Sequence, residues 1–316
     1  MQQLKIVFAG TPEIAKITLE HILASGFKIE LVLTQPDRPA GRGKKLGISV
    51  VKKLALEHKI EVFQPPSFKH NQSAIAIIKA LSPDIMIVIA YGLILPEELL
   101  AIPKLGCVNL HVSLLPRHRG AAPIQRTILA GDSVTGVSLM QMDAGLDTGK
   151  ILLQEQVKIG ENETTGELQD KLAVLGAKII VKYLNNYSKI QAYPQDVLGV
   201  TYAHKIEKAE ANIDWSIAAP LLLRQIRGFN PAPGCFSYLE GKLFKVWQAN
   251  TTTSILQVPP GTIINADKND LVVACGKDTA LIIHELQEAG KTRQSVSQYL
   301  PGHPNLIGKR FKMDNA

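Results

Sequence analysis

The stretch "LKIVFAGTPEIAKITLEHILASGFKIELVLTQ", residues 4–35, decides the fold. Residues 4–10 are an apolar run closed by glycine and predict a buried strand. Residues 11–26 predict a helix: Thr11 can cap it, Pro12 suits the first turn and Gly26 suits the C-terminal cap. Ile14, Ile17, Leu19, Ile22 and Leu23 roughly follow a helical stripe. Residues 28–35 predict a second strand. Two continuously apolar strands joined by a helix indicate a parallel sheet covered on both faces.

The alternation continues outward from this unit. "NQSAIAIIKALS" (71–82) predicts a helix, while "DIMIVIAYG" (84–92) and "CVNLH" (107–111) predict strands. Residues 134–143 and 150–159 predict two more strands around the turn "AGLDTG". Residues 164–187 form a long amphipathic pattern in which Thr164 and Glu167 have capping-box spacing. Leu168, Leu172, Leu175, Ile179 and Leu184 supply its apolar face. The periodicity then weakens over about 188–207, which reads as a linker. Residues 215–229 look helical around a proline. Short strand-like runs split by Gly and Pro follow and predict a small antiparallel barrel or sandwich. The expected division is a catalytic domain over 1–189, a linker over 190–207 and a smaller domain over 208–316.

The composition bounds the function. The chain has 316 residues, 46% hydrophobic and 20% charged, enough for two domains with real cores. A net charge of +7 permits an anionic partner without requiring one. No charged leader precedes a long apolar run and no window holds about 18 uninterrupted apolar residues, so neither secretion nor membrane spanning is expected. Cys107, Cys235 and Cys275 are far apart, odd in number and without zinc spacing. A reduced, cytoplasmic setting is expected.

Asn109 and His111 share one face of a strand, at the end where parallel sheets bind their ligands. A pair of satisfied core polar groups would read the same way. Pro116 and Gly120 follow in a turn that opens a helix. In "MDAGLDTG" (142–149), Asp143 and Asp147 bracket a glycine turn that is either an ordinary Asp/Gly hairpin or a site element. The junction "FAGTPE" is neither GxGxxG nor a P-loop, so a dinucleotide is poorly supported. In residues 34–53, Arg38, Arg42, Lys44, Lys45, Lys52 and Lys53 outweigh Asp37, and two prolines and three glycines argue against helix or strand for most of it. Such a loop is either a solvated surface segment or suited to a phosphate backbone.

Together, "FAGTPEIA", "TQPDRPAGRGKKL", "VIAYGLILP", "GCVNLHVSLLPRHRGAAPIQRTILAGD", "TGVSLMQMDAGLDTGKIL", "KIEKAEANIDWS" and "IRGFNPAPG" resemble the methionyl-tRNA formyltransferase family. They span the chain in family order. The Asn-x-His, SLLP and Asp-x-Gly elements alone point to formyltransferases at large; the basic loop and the C-terminal motifs narrow the likeness. Some members carry an aromatic residue where this chain has Ile14. The resemblance implies an α/β, Rossmann-like, mostly parallel N-terminal sheet domain and a C-terminal OB-like β-barrel. It implies formyl transfer from 10-formyltetrahydrofolate to the α-amino group of initiator methionyl-tRNA, with Asn109, His111 and Asp147 catalytic. It implies folate contacts along Tyr91, Gly92, Leu93, Ile94 and Leu95, along Ser113, Leu114, Leu115 and Pro116, and at Asp143. Gly10 and Thr11 would face the aminoacyl end, and Arg38, Arg42, Lys44 and Lys45 the acceptor stem. Lys208, Arg224 and Arg227 would touch the tRNA body. No metal, no NAD and no membrane is expected, and a monomer is the default. Another folate-dependent formyltransferase, a 10-formyltetrahydrofolate hydrolase or a non-catalytic RNA-binding protein are the competing readings.

Overall fold

Strand β1 (Ile6–Gly10) is an inner strand of a seven-stranded sheet in the computed structural model, which describes residues 4–40, 45–254, 257–267 and 269–313. The other strands are β2 (Ile29–Leu33), β3 (Val62–Phe63), β4 (Ile85–Ile89), β5 (Cys107–His111), β6 (Val134–Gln141) and β7 (Ile151–Lys158). Their order is β7-β6-β5-β4-β1-β2-β3. β3, β2, β1, β4 and β5 run parallel, whereas β6 is antiparallel to both β5 and β7. The helices are α1 (Glu13–Ala24), α2 (Val50–Glu57), α3 (Gln72–Leu81), α4 (Pro123–Ala130) and α5 (Thr165–Asn186). Val7, Ala9, Met86 and Val88 pack with Ile75 and Ile78 of α3 on one face. On the other face α5 comes close enough that a Cβ on Gly176 would lie 2.3 Å from Leu110 Cδ2. Strand alternation then turns Asn109 and His111 away from α5.

Chain contacts divide the molecule into two units. The first holds residues through Pro123, Val134–Lys158 and Gln169–Ala203; the second holds Ile124–Ser133, Ile159–Leu168 and the chain from His204 onward. The predicted elements are found with ends trimmed by a few residues. The capping box is present: Glu167 Oε2 accepts from Thr164 N at 2.8 Å and Thr164 Oγ1 accepts from Glu167 N at 3.4 Å.

Three local expectations differ. Thr11 does not cap α1; its hydroxyl donates to Tyr91 O at 3.1 Å, and Pro12 takes the capping position with no side-chain bond. The basic segment is not irregular throughout. Arg38–Ala40 and Lys45–Gly47 pair as an antiparallel ribbon, and α2 begins at Val50 with Ser49 Oγ accepting from Lys52 N at 3.0 Å. A ribbon of two strands has open edges, which tolerate the missing N–H of Pro39. The stretch read as a linker is docked on the first unit as far as Ala203: Tyr193 exchanges backbone bonds with Ile151, and Tyr202–Ala203 pairs in parallel with Arg119–Gly120.

The second unit contains α6 (Ala219–Gly228), with Pro220 in its first turn where a missing N–H costs nothing. Its sheet has the antiparallel order β10-β11-β12-β9-β8-β13, from β8 (Cys235–Leu239), β9 (Lys242–Thr253), β10 (Ile263–Asp267), β11 (Asp270–Ala274), β12 (Thr279–Glu288) and β13 (Phe311–Lys312). Irregular register near Val246–Ala249 bends β9 against β12. Ile263 N donates to Lys309 O at 2.8 Å and Phe311 N to Gly261 O at 2.9 Å, so the two edges meet and the sheet closes as an OB-like barrel. Trp215, Phe244, Tyr299 and Phe311 fill it with tilted and edge-on ring contacts.

Phe8 of β1 is fully buried. Phe8→Ala is expected to destabilise the first unit by about 3–5 kcal/mol, read as an earlier denaturation midpoint.

Candidate active site

β5 presents Asn109 level with Val88 of β4, and His111 beyond the last paired residue of β4. His111 therefore sits at the carboxyl edge of the parallel strands, past the last pair with β4, while on its other side it still pairs with Ser138 of β6. It is 6% exposed. Its Nε2 lies 2.9 Å from His118 O. A carbonyl only accepts, so Nε2 carries the proton and Nδ1 is the ring nitrogen left over. Nδ1 faces Asp147 Oδ2 at 3.6 Å. Asn109 is half-buried, and its side-chain amide has no hydrogen bond among the described residues.

Asp147 reaches His111 by an indirect path. Gln141, the last residue of β6, pairs with Val108 near the start of β5. The turn 142–150 then folds back along β5. Asp147 adopts φ +54° there, and its Oδ2 accepts from Gly120 N at 2.8 Å. Gly149 passes so close to Gln141 O that a Cβ would lie 1.7 Å from it. Asp143 stays exposed; its Oδ1 accepts from Gly145 N at 3.0 Å and Thr148 Oγ1 at 2.7 Å, which shapes the turn. Cys107, on the same face of β5, is buried, and burial pushes its thiol up to about 12. No thiolate nucleophile is therefore available beside the site near neutral pH.

Two further loops border the carboxyl edge. Ser113 to Pro116 is pinned from below: Leu115 N donates to Ser138 Oγ at 3.0 Å, Ser138 Oγ to Ser113 O at 2.7 Å, and Gln154 Nε2 to Leu115 O at 2.9 Å. Ser113 and Leu115 are buried, and Leu114 and Pro116 are partly exposed. Tyr91 to Leu95 is held by Gln35, whose Nε2 donates to Tyr91 O at 3.2 Å and Gly92 O at 2.9 Å. Gly92 has φ +82°, and a Cβ on it would meet that amide at 2.2 Å. The Tyr91 ring lies in the core with Leu95, so the side chain expected to touch a ligand does not face outward. Leu93 is partly buried, while Ile94 is 88% exposed. Ser138, Gln154 and Gln35 escaped the sequence reading. Ser138 left one signal, a hydroxyl within a buried run of strand.

Of the basic residues, Arg38 belongs to the first unit and Lys208, Arg224 and Arg227 to the second. Arg38 is exposed on the ribbon; Arg42 and Lys44 lie outside the described residues, and of Lys45 only the backbone is described. Gly10 is buried, and a Cβ there would lie 2.5 Å from Ala15 Cβ. Lys208 is exposed in a short 3-10 turn. Arg224 is half-buried against Gly131, and Arg227 donates to Glu163 O at 3.3 Å. Burial, reinforced by Arg224, holds the Arg227 guanidinium below the ordinary arginine value. No helix among the described residues is long and apolar enough to cross a membrane, and no three or more His, Cys, Asp or Glu among them are grouped so as to hold a metal ion.

Residues 4–184 match the formyl transferase family and residues 205–304 the formyl transferase C-terminal domain. A methionyl-tRNA formyltransferase of Dechloromonas aromatica is 52% identical over 308 residues, covering 98% of this chain and 99% of that one. The methionyl-tRNA formyltransferase of Aromatoleum aromaticum is 50% identical over 311 residues, covering 98% and 97%. Among solved structures, the N-formyltransferase of Helicobacter canadensis in complex with folinic acid and dTDP-3-aminofucose has the same fold. Its TM-score is 0.66 at 20% identity, covering 89% of this chain and 99% of that chain.

Asp37, at the root of the basic ribbon, is clamped by Lys52 Nζ at 2.5 Å and Gln64 Nε2 at 2.8 Å. Lys52 first and Gln64 second hold its carboxyl below the usual carboxylate value. A depressed folded-state pKa gives stability above the unfolded value of about 3.9 and loses it as pH falls through the folded value. The gap in melting temperature between the parent and Asp37→Asn is therefore expected near neutral pH and to close on acidification.

Proposed function

We propose a course for the reaction from one premise: the chain belongs to the methionyl-tRNA formyltransferase family and transfers a formyl group from a formyl-folate to methionyl-tRNA. The donor in this proposal is 10-formyltetrahydrofolate, and the acceptor is the α-amino group of initiator methionyl-tRNA. The observation that carries it is the fixed state of His111: with Nε2–H committed to His118 O, proton traffic falls to Nδ1, beside the Asp147 carboxylate.

The amine attacks the formyl carbon and a carbon–nitrogen bond forms. The formyl oxygen gathers negative charge, and the unpartnered Asn109 amide on the same face donates to it. Such donors act on charge that exists only near the transition state. The amine's surplus proton passes to His111 Nδ1, and the resulting imidazolium is offset by Asp147. The same proton then passes to N10 of the folate as the old bond breaks, so the enzyme ends in the state in which it began. The His118 carbonyl keeps the ring oriented, and Asp147 stabilises the ring once it is charged.

Backbone groups of 93–95 and of the turn 143–147 suit the polar edge of a pterin, and Ser113–Pro116 forms a rigid border for it. Exposed Ile94 and Leu146, 88% and 61% accessible, suit its apolar faces. Tyr91 contributes through its packed ring, which sets the height of the loop. Gly10 and Thr11 close the strand-to-helix junction on the aminoacyl side. Arg38, Arg42, Lys44 and Lys45 supply positive charge for the acceptor stem, and Lys208, Arg224 and Arg227 for the tRNA body.

Single-turnover formylation with a labelled formyl donor tests the roles. Asn109→Ala, His111→Ala and Asp147→Ala are each expected to raise the chemical barrier by about 2–4 kcal/mol. Parent-like rates in all three overturn the assignment. Arg42→Ala is expected to weaken tRNA use with folate binding near the parent's, and activity is expected to fall as salt rises; loss of folate binding or a flat salt response counts against the basic-loop contact.

A further inference from the structure

We infer that Gln195 and Thr201 are positioning residues for the His111–Asp147 pair, a reading that rests on the roles proposed above for those two side chains. Both lie in the 190–203 segment; Gln195 bonds the backbone of Asp147 directly, and Thr201 holds His111 through His118.

Gln195 acts on Asp147. Its Nε2 donates to Asp147 O and to Gly149 O, both at 2.8 Å. Its Oε1 accepts from Arg119 Nε at 3.1 Å and Nη2 at 2.7 Å. Every polar atom of the amide is thus engaged, and its orientation is fixed by a guanidinium that only donates. The residue so held has φ +54°, a left-handed conformation that a non-glycine residue keeps only when its surroundings over-determine it. The two carbonyls lie in the second half of the turn, so the amide sets where the Asp147 carboxylate ends.

Thr201 acts on His111. Its Oγ1 accepts from His118 N at 2.8 Å. The His118 carbonyl accepts from His111 Nε2 and so decides which ring nitrogen is free. His118 has φ +61°, again left-handed, and is buried. Neighbouring backbone bonds lock the same place: Arg119 N to Thr201 O and Ala121 N to Ala203 O, each at 2.9 Å. Gly120, between them, has φ +118° and gives its N–H to Asp147 Oδ2. The segment therefore bears on the ring nitrogen, the carboxylate and the turn at once.

The test uses full-length protein with both substrates. Thr201→Val keeps the shape and removes the acceptor for His118 N, and Thr201→Ser restores it. Gln195→Glu keeps the acceptor for Arg119 and removes both donors. Thr201→Val and Gln195→Glu are expected to lower kcat by about 10- to 100-fold with both KM values nearly unchanged, the size of effect a small misplacement of reacting groups produces. Thr201→Ser is expected to recover the parent kcat, and melting temperatures to stay near the parent's. A parent-like kcat in Thr201→Val, a loss confined to KM, or Thr201→Ser as slow as Thr201→Val overturns the inference. The Thr201 pair carries the test if Gln195→Glu does not fold. His111→Ala and Asp147→Ala measured alongside separate the two levels: activity retained in both removes the roles themselves, whereas their loss with parent-like Thr201→Val removes only the positioning.

Discussion

The hydrogen bond from His111 Nε2 to the carbonyl of His118 is the constraint on which the site depends. It assigns the proton on one ring nitrogen and leaves the other to face Asp147. A histidine on a strand end would otherwise sample both tautomers and several ring orientations. The carbonyl can fix it because it belongs to a left-handed residue held from outside the strand. The chemistry of one imidazole thus rests on backbone geometry seven residues downstream and on a segment more than 80 residues away.

The same logic runs along the whole carboxyl edge of the sheet. Strands end there, ladder bonds stop, and the freed backbone groups are satisfied by side chains rather than by other strands. Thr11 and Gln35 serve Tyr91 and Gly92, and Ser138 and Gln154 serve the Ser113–Pro116 loop. The Asp147 carboxylate serves Gly120 N–H, and Gln195 serves the Asp147 turn. Each bond contributes only about 1 kcal/mol, yet a buried group left without one costs more, so the loops have few alternative conformations. The Asn109 amide and the buried Tyr91 hydroxyl are side-chain groups that have no partner among the described residues.

Much of this was legible in the chain itself. The apolar runs at β1, β2, β4 and β5 read as parallel strands because they are buried on both faces, and β5 was bounded at Cys107 and His111 as observed. The capping box at Thr164 and Glu167 is a local bond between residues three apart, and local bonds survive reading from sequence. Thr11 misled for the same reason. Its type and place suit a cap, but a loop 80 residues away offers its hydroxyl a part-buried carbonyl instead. The Pro- and Gly-rich stretch at 34–53 hid a short ribbon, because strands of three residues leave little periodicity to detect. The weak pattern over 190–203 hid a docked strap whose bonds run through backbone and isolated polar side chains.

By itself the sequence determined the α/β class, the strand that carries Asn109 and His111 on one face, and the family, because hydrophobic period and motif spacing are properties of neighbouring residues. Tertiary structure decided the rest. Only it folds the 142–150 turn back along β5 to set Asp147 beside His111, selects the free ring nitrogen through His118, buries the Tyr91 ring, and brings Gln195 and Thr201 under the site. These are contacts between residues far apart in sequence, created when strand ends run out of partners, and no local pattern encodes which distant group will supply one.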